Sequence, residues 1–514
     1  MNAAPAVIAT SARASLGLTL IALGLGLGLL ADQLLRAVPW GVNFSICALA
    51  LITAGAWAVR HFRIAASSDA AWLALSCLLC AVAFVRRDSN ALRLLDLGAF
   101  AGAVSLTVLA TQGASVRLRG ISAYVVATCI ACANAWFGGA RLVFADIPWH
   151  AVRAGKRWRG LGAVGIGLLV SLPLLAVFAG LFVSADATFD SLVKNLSPNL
   201  ETLASHLLLT GVFATLAAGT LRGALLGSGR TATLGERLAS PGVPYAMTAT
   251  VLAALDLLFL LFVALQLRWL FGGTAVIEAT TGLTVAEYAR RGFFELVTAA
   301  ALVIPVLLAA DWATLRESRQ QEQSFRSLAL LLVLLVGALL VSAMQRMLLY
   351  VALFGLTELR LYTTAFMLWL GGVVAWLAWT VLRGTRARFA FGALVQATAV
   401  LAGLHIANPD ALIARVNIGR HADAVPLDAA YVAGMLSADA VPVLLESLPR
   451  LAPAQRVDVA RCLRVRWGAP PPQRERDWRS WNWSAARARA LVRSRAAELG
   501  PWQPSGRESC LPVD

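Results

Sequence analysis

Charge is what this sequence lacks. Only 14% of its 514 residues are charged, where a soluble domain carries about 25%, while 59% are hydrophobic and the mean hydropathy is +0.72. So apolar a chain cannot be solvated by water as a globular protein. It needs a lipid bilayer as its partner. Lysine is almost missing, with Lys156 and Lys194 the only two, so the net charge of +16 is an arginine excess. In a chain of this class arginine first marks cytoplasmic loops facing anionic headgroups, and no nucleic-acid partner is expected. HExxH, GxSxG and Gly-rich phosphate-loop motifs are all absent. No catalytic residue, cofactor or metal is therefore assigned, and an enzyme is not expected.

Cysteine is sparse too. Four of the seven form two CxxC spacings, Cys77/Cys80 and Cys129/Cys132, but both pairs lie inside apolar runs with no histidine, acidic residue or polar loop beside them. They read as packing residues on one helical face rather than zinc ligands or a redox dithiol. The apolar run after Arg13 resembles a signal sequence. Without a small-x-small cleavage site it reads as an uncleaved first helix.

A bilayer crossing takes about 20 apolar residues. Runs of that kind lie at 15–35, 42–59, 70–85, 92–111, 161–183, 203–226, 245–267, 292–312, 327–350, 361–382 and 389–406, with a weaker one at 121–138. If 121–138 lies in the interface, the arginines at 60, 63, 117, 119, 153, 157 and 159 fall on one side with Lys156. Arg230, Arg237, Arg316, Arg319, Arg326, Arg383, Arg386 and Arg388 join them. The fold class is then all-α, a polytopic helical membrane protein of about 11–12 spans with a small C-terminal helical domain. Its parts are residues 1–160 (first spans and a basic interfacial segment), 161–406 (main bundle) and 407–514 (extramembrane domain). The short-loop arginines place the N-terminus in the cytoplasm and the C-terminal domain in the periplasm of an inner membrane. Gly24, Gly26 and Gly28 form a small-residue ridge suited to close helix packing.

The stretch from Leu348 to Trp369 organises the chain, because it puts Thr357-Glu358-Leu359-Arg360 between two long apolar runs. Glu358 and Arg360 are too close in sequence to pair on one helical face. Glu358 is expected to seek Arg346, folded back across the Phe354-Gly355 turn. Arg291 and Glu295, four residues apart, can pair and belong to the same outer polar layer. Asp256, in TVLAALDLLFLLF, is the one carboxyl near the middle of a span. It is expected to face the bundle and, if hydrogen-bonded, to tolerate asparagine better than leucine. Asp256, Arg291, Glu295, Arg346, Glu358 and Arg360 are thus the candidate polar site.

After the last span, Asn408-Pro409-Asp410 breaks one helix and can cap the next. Ser437 and Asp439 begin another, Pro453 opens a third, and Gly468 to Pro472 reads as a linker. Trp478, Trp481 and Trp483 suit interfacial docking, ligand stacking or a core.

VSADATF at 183–189, LRWLFGG at 267–273, AEYARRGFFELV at 286–297, GLTELRLYTTAFMLWL at 355–370, NPDALIARVNIGR at 408–420 and LSADAVPVLL at 436–445 occur in series. This series resembles a bacterial multi-pass membrane family, domain of unknown function 4173, with sister group 4153. The resemblance implies an inner-membrane protein and no activity. The leading reading is a non-enzymatic envelope or signalling component, with the bilayer and other membrane proteins as partners. A secondary transporter using a polar site at the outer face and an intramembrane lipid-linked transferase are the alternatives. No inverted repeat supports the former, and the first outer loop, with Asp32 its sole acid, is short for the latter.

Overall fold

The computed structural model describes residues 10–64, 66–111, 115–149, 161–186, 188–191, 200–227, 241–281, 293–381, 383–421, 427–470, 476–500 and 510. It is all-α apart from one short parallel pairing of Val243–Pro244 with Thr314–Leu315. The long helices are α1 (Thr10–Leu35), α2 (Val42–His61), α3 (Asp69–Arg86), α4 (Asn90–Thr111), α5 (Ile121–Arg141), α6 (Leu161–Ala185), α7 (Leu200–Leu225), α8 (Tyr245–Thr281), α9 (Phe293–Ala313), α10 (Arg319–Phe354), α11 (Glu358–Thr380) and α12 (Phe389–Ala407). Among the described residues eleven helices are long and apolar enough to cross a membrane.

The helices end where the sequence supplies a stop. Gly355 closes α10 at φ +80°, and a Cβ there would lie 2.7 Å from Asn417 Oδ1. Thr357 then caps α11, accepting from the Arg360 amide. Asn408, left-handed at φ +54°, ends α12, and its side chain accepts from the amide of Ala411 to start α13 (Pro409–His421). A polar hairpin and a helix break were both expected at these residues.

Close packing relies on small side chains, as in other membrane bundles. On α1, a Cβ at Gly24 would come within 2.6 Å of Ala218, and one at Gly28 within 2.6 Å of the Thr210 carbonyl, both on α7. Gly26 has nothing within 4 Å. The ridge is therefore Gly24 and Gly28, one turn apart on one face. Where α5 crosses α7, a Cβ at Gly219 would sit 2.1 Å from the Asn134 carbonyl, so only glycine fits. Phe325, Leu332, Leu370 and Leu377 fill the core of α8–α11.

Both flanks of α5 meet the same end of the bundle. Arg117, just before it, pairs with Asp69 at the start of α3 at 3.0 Å. Asp146, just after it, pairs with Arg13 at the start of α1 (3.2 Å) and Arg222 near the end of α7 (2.6 Å). That is the arrangement expected of a segment lying along the membrane surface. At this end Arg316 also bridges Asp311 and Glu322 at 2.8 and 3.3 Å, and Arg386 reaches Asp311 at 3.6 Å.

The opposite end carries the C-terminal domain: α13, α14 (Val441–Ser447), α15 (Pro453–Leu463) and α16 (Trp483–Ser494). Its core holds Ile413, Ala414, Leu444, Val459, Leu463, Trp467 and Ala488. Cys462 and Cys510 form a disulfide in it.

Candidate functional site

Of the six residues expected to form one polar site, five are described. Arg291 lies outside the described residues. Glu295 is exposed on the first turn of α9. Arg346 is half-buried on α10. Arg360 instead donates to the carbonyls of Phe354 and Gly355 and lies 4.1 Å from the Tyr350 ring, so it caps the helix before the turn. Asp256 is buried in α8 as expected, at 4% exposure, but neither carboxyl oxygen has a hydrogen-bond partner among the described residues. It stands ten residues, about 15 Å of helix, from the Gln266–Ser342 hydrogen bond that links α8 to α10. Without a partner to satisfy, the expected ordering of substitutions reverses: leucine should be tolerated at least as well as asparagine.

Glu358 belongs to a different constellation. The α10–α11 turn is covered by the C-terminal domain rather than by water. Asn417 on α13 holds Leu356 by both backbone groups, accepting from its N–H and donating to its carbonyl at 2.8 Å each. The Glu358 amide donates to Tyr431 Oη at 2.9 Å.

Beside this turn lies the most densely bonded polar node among the described residues, centred on Asp439. Ser437 takes over the local capping duty, accepting from the Asp439 amide, which frees the carboxylate to reach across to the bundle. Its Oδ1 accepts from Arg87 Nη1 at 3.1 Å and Ser484 Oγ at 2.8 Å, and its Oδ2 from the Asp88 amide at 2.8 Å. Asp88 returns the contact, accepting from the Ala438 amide at 3.2 Å while Arg93 holds its other oxygen at 2.9 Å. Asn482, the cap of α16, donates to the carbonyls of Phe84 and Arg87 at 2.9 and 2.8 Å. The link between α3 and α4 is thereby fastened to two helices of the domain.

Burial makes this node costly to open. Arg87 and Asp439 are 8% and 4% exposed, and an ion pair so desolvated costs about 3–5 kcal/mol when one partner is removed. Asp410, fully buried, receives Ser437 Oγ and N–H on one oxygen, while the other has no partner among the described residues. Burial above all, then the nearby Glu358 and Asp439 carboxylates, pushes the Asp410 carboxyl up to about 7, against the pull of the Ser437 hydrogen bond. Burial raises Asp88 as well, with Arg93 opposing.

Two His–Asp pairs flank the node at the same end. His405 Nε2 lies 2.9 Å from Asp96 Oδ1, and His206 Nδ1 lies 2.5 Å from Asp32, which Arg36 also contacts at 2.8 Å. Among the described residues no group of three or more His, Cys, Asp or Glu side chains is placed to hold a metal.

Sequence reasoning missed Arg87, Asp88, Asn482 and Ser484 and read Asp410 and Asp439 only as helix-start residues, because none lies in the middle of a span. The available signal was the echo of Ser184-Ala185-Asp186-Ala187 in Ser437-Ala438-Asp439-Ala440. In the first copy Asp186 only caps its own turn, at the Thr188 and Phe189 amides; in the second the acid is the bolt. The three tryptophans are not a core. Trp478, Trp481 and Trp483 are 63%, 45% and 44% exposed, and the Trp481 carbonyl accepts from the amide of Val42 at the start of α2.

No curated protein and no solved structure matches the chain. The model of the family described as Domain of unknown function (DUF4153) matches residues 73–447, from α3 through the last residue of α14. That is the sister group of the family the motif series resembles. Spanning more than half of the sequence and taking in both sides of the Arg87–Asp439 contact, the match shows that this membrane chain belongs to the DUF4153 family.

Proposed function

We propose that the protein is a non-enzymatic envelope component of a bacterial inner membrane, in which an outer C-terminal domain is fastened to the bundle so that the two move as one. The observation that carries this reading is the Asp439 node. A domain that merely hung from the last span would not need a buried ion pair to a link 352 residues away in sequence (Arg87 to Asp439). The bolted ends include α3, the α3–α4 link, α10, α11 and α12, so a load or ligand on the domain has a direct mechanical route to the bundle. Coupling of this kind suits envelope maintenance or signalling.

Orientation follows from two supports. The end opposite the domain carries Arg60, Arg63, Arg117, Arg316, Arg319, Arg326, Arg383, Arg386 and Arg388 in its short links and helix ends, which favours the cytoplasm. The Cys462–Cys510 disulfide favours an oxidising compartment for the domain.

The test is complementation. In a strain lacking the gene, wild-type protein should restore resistance to envelope stress, and Asp439→Ala at equal membrane level should not. A purified wild-type protein that moves a solute across vesicles in an Asp256-dependent way would instead favour the transporter reading.

A further inference from the structure

The turn that carries Trp478, Trp481 and Trp483 stands where the C-terminal domain meets the ends of three spans. We infer that these indoles sit in the headgroup layer of the bilayer and anchor the domain to the membrane surface, a lipid contact in addition to the Asp439 node. This contact goes beyond the coupling role and does not depend on it.

The spans set the depth. Helix α2 has 20 residues, which at roughly 1.5 Å per residue makes about 30 Å, the thickness of the hydrocarbon core. Its first amide, that of Val42, therefore marks the edge of the hydrocarbon. That amide donates to the Trp481 carbonyl at 3.0 Å, and Gly41 packs so close that a Cβ would lie 2.4 Å from the same oxygen. On one side of Trp481, Arg479 donates Nη1 to the Gln33 carbonyl near the end of α1. On the other, Asn482 donates to the carbonyls of Phe84 and Arg87 at the end of α3, at 2.9 and 2.8 Å. The backbone of the turn is thus held at the level where α1, α2 and α3 end. Headgroups fill a layer roughly 5–8 Å thick on each face of a bilayer, so side chains on this backbone stand within it.

Chemistry agrees with the depth. Trp467, in the same domain, is only 5% exposed, so the domain core can take an indole; it leaves Trp478, Trp481 and Trp483 outside. Three open indoles within six residues are costly in water. The headgroup layer suits them, because it accepts the apolar ring and offers acceptors to the ring N–H at once. Their backbone contacts run to helices that are themselves long and apolar enough to cross a membrane, so the surface the tryptophans present continues the lipid-facing surface of the bundle. That continuity makes lipid their partner.

The experiment is tryptophan fluorescence of the full chain in phosphatidylcholine nanodiscs. The chain has 16 tryptophans, so the signal is the emission of wild type minus that of the triple variant Trp478→Phe, Trp481→Phe, Trp483→Phe. Three quenchers report depth: lipid brominated high on the acyl chain, lipid brominated near the chain end, and iodide in the water. The difference emission should lose most of its intensity to the shallow bromine and little to the deep bromine or to iodide. If the triple variant misfolds, Trp478→Phe alone, at the most exposed of the three, supplies the same difference. Greatest loss to iodide would put the indoles in water, greatest loss to the deep bromine would put them in the hydrocarbon, and loss to none of the three would put them in a protein contact. Each of these overturns the inference.

Discussion

Removing the Asp439 carboxylate should open the junction between domain and bundle without unfolding either. In Asp439→Ala, Arg87 loses its ion-pair partner at 8% exposure, and the Asp88 amide and Ser484 hydroxyl lose their acceptors. A buried charge left unpaired costs about 3–5 kcal/mol. At about 1.4 kcal/mol per factor of ten, the open junction becomes roughly 100- to 4,000-fold more populated. Hydrogen exchange reads this directly, since the amides of Asp88 and Ala438 are both donors within the node. Their exchange should accelerate by about two to three and a half orders of magnitude, whereas amides in the middle of α10 should not change. Arg87→Met combined with Asp439→Ala should cost less than the sum of the two single changes, because it leaves no charge stranded. Unchanged exchange at Asp88 and Ala438, or strict additivity of the pair, would refute the bolt.

Other outcomes follow from the same geometry. Because the folded carboxyl of Asp410 is raised to about 7 from an ordinary value near 4, its contribution to domain stability is fully present below about pH 4 and is lost as pH rises through about 7; Asp88 adds a trend of the same sign. Denaturation of the domain across pH 4–8 should show this decline, and Asp410→Asn should flatten most of it. Asp256→Leu should raise the melting temperature relative to wild type, since it removes a buried carboxyl whose burial costs about 2.5–3.5 kcal/mol and which has no partner among the described residues; a drop larger than that of Asp256→Asn would reveal a polar partner. Gly28→Val should destabilise by about 1–3 kcal/mol by forcing α1 from α7, while Gly26→Val, with open space around it, should be near neutral in the same thermal assay. Reducing the Cys462–Cys510 disulfide in the folded protein should loosen the contact of Gly434 with residue 510, where a Cβ would lie 2.1 Å from the Cys510 carbonyl, and protease sensitivity near the C-terminus should rise.

The spans were legible because 20 apolar residues have few other fates, and the hairpin at Gly355 because glycine and a capping threonine announce it. Asp256 was legible as a buried carboxyl for the same reason. The node was not. Arg87, Asp88 and Asp439 stand in short polar links where a charge normally needs no explanation, and nothing in local spacing says that residues 88 and 438 meet. The expected Glu358–Arg346 pair rested on proximity along the chain, which does not fix proximity in space. Arg346 stays on the α10 shaft, while Glu358 turns under α13, where Tyr431 and Asn417 hold the hairpin. The Cys462–Cys510 disulfide was hidden in a similar way, its partners 48 residues apart and unrelated in motif to the CxxC pairs that drew notice.

The orientation of the domain tests the account most directly. A reporter active only outside the cytoplasm, fused after Asp514, should be active, while the same reporter placed in the link between α11 and α12, beside Arg386, should be silent. Activity at Arg386 with silence after Asp514 would put the domain, its disulfide and the Asp439 node in the cytoplasm, and would contradict the account.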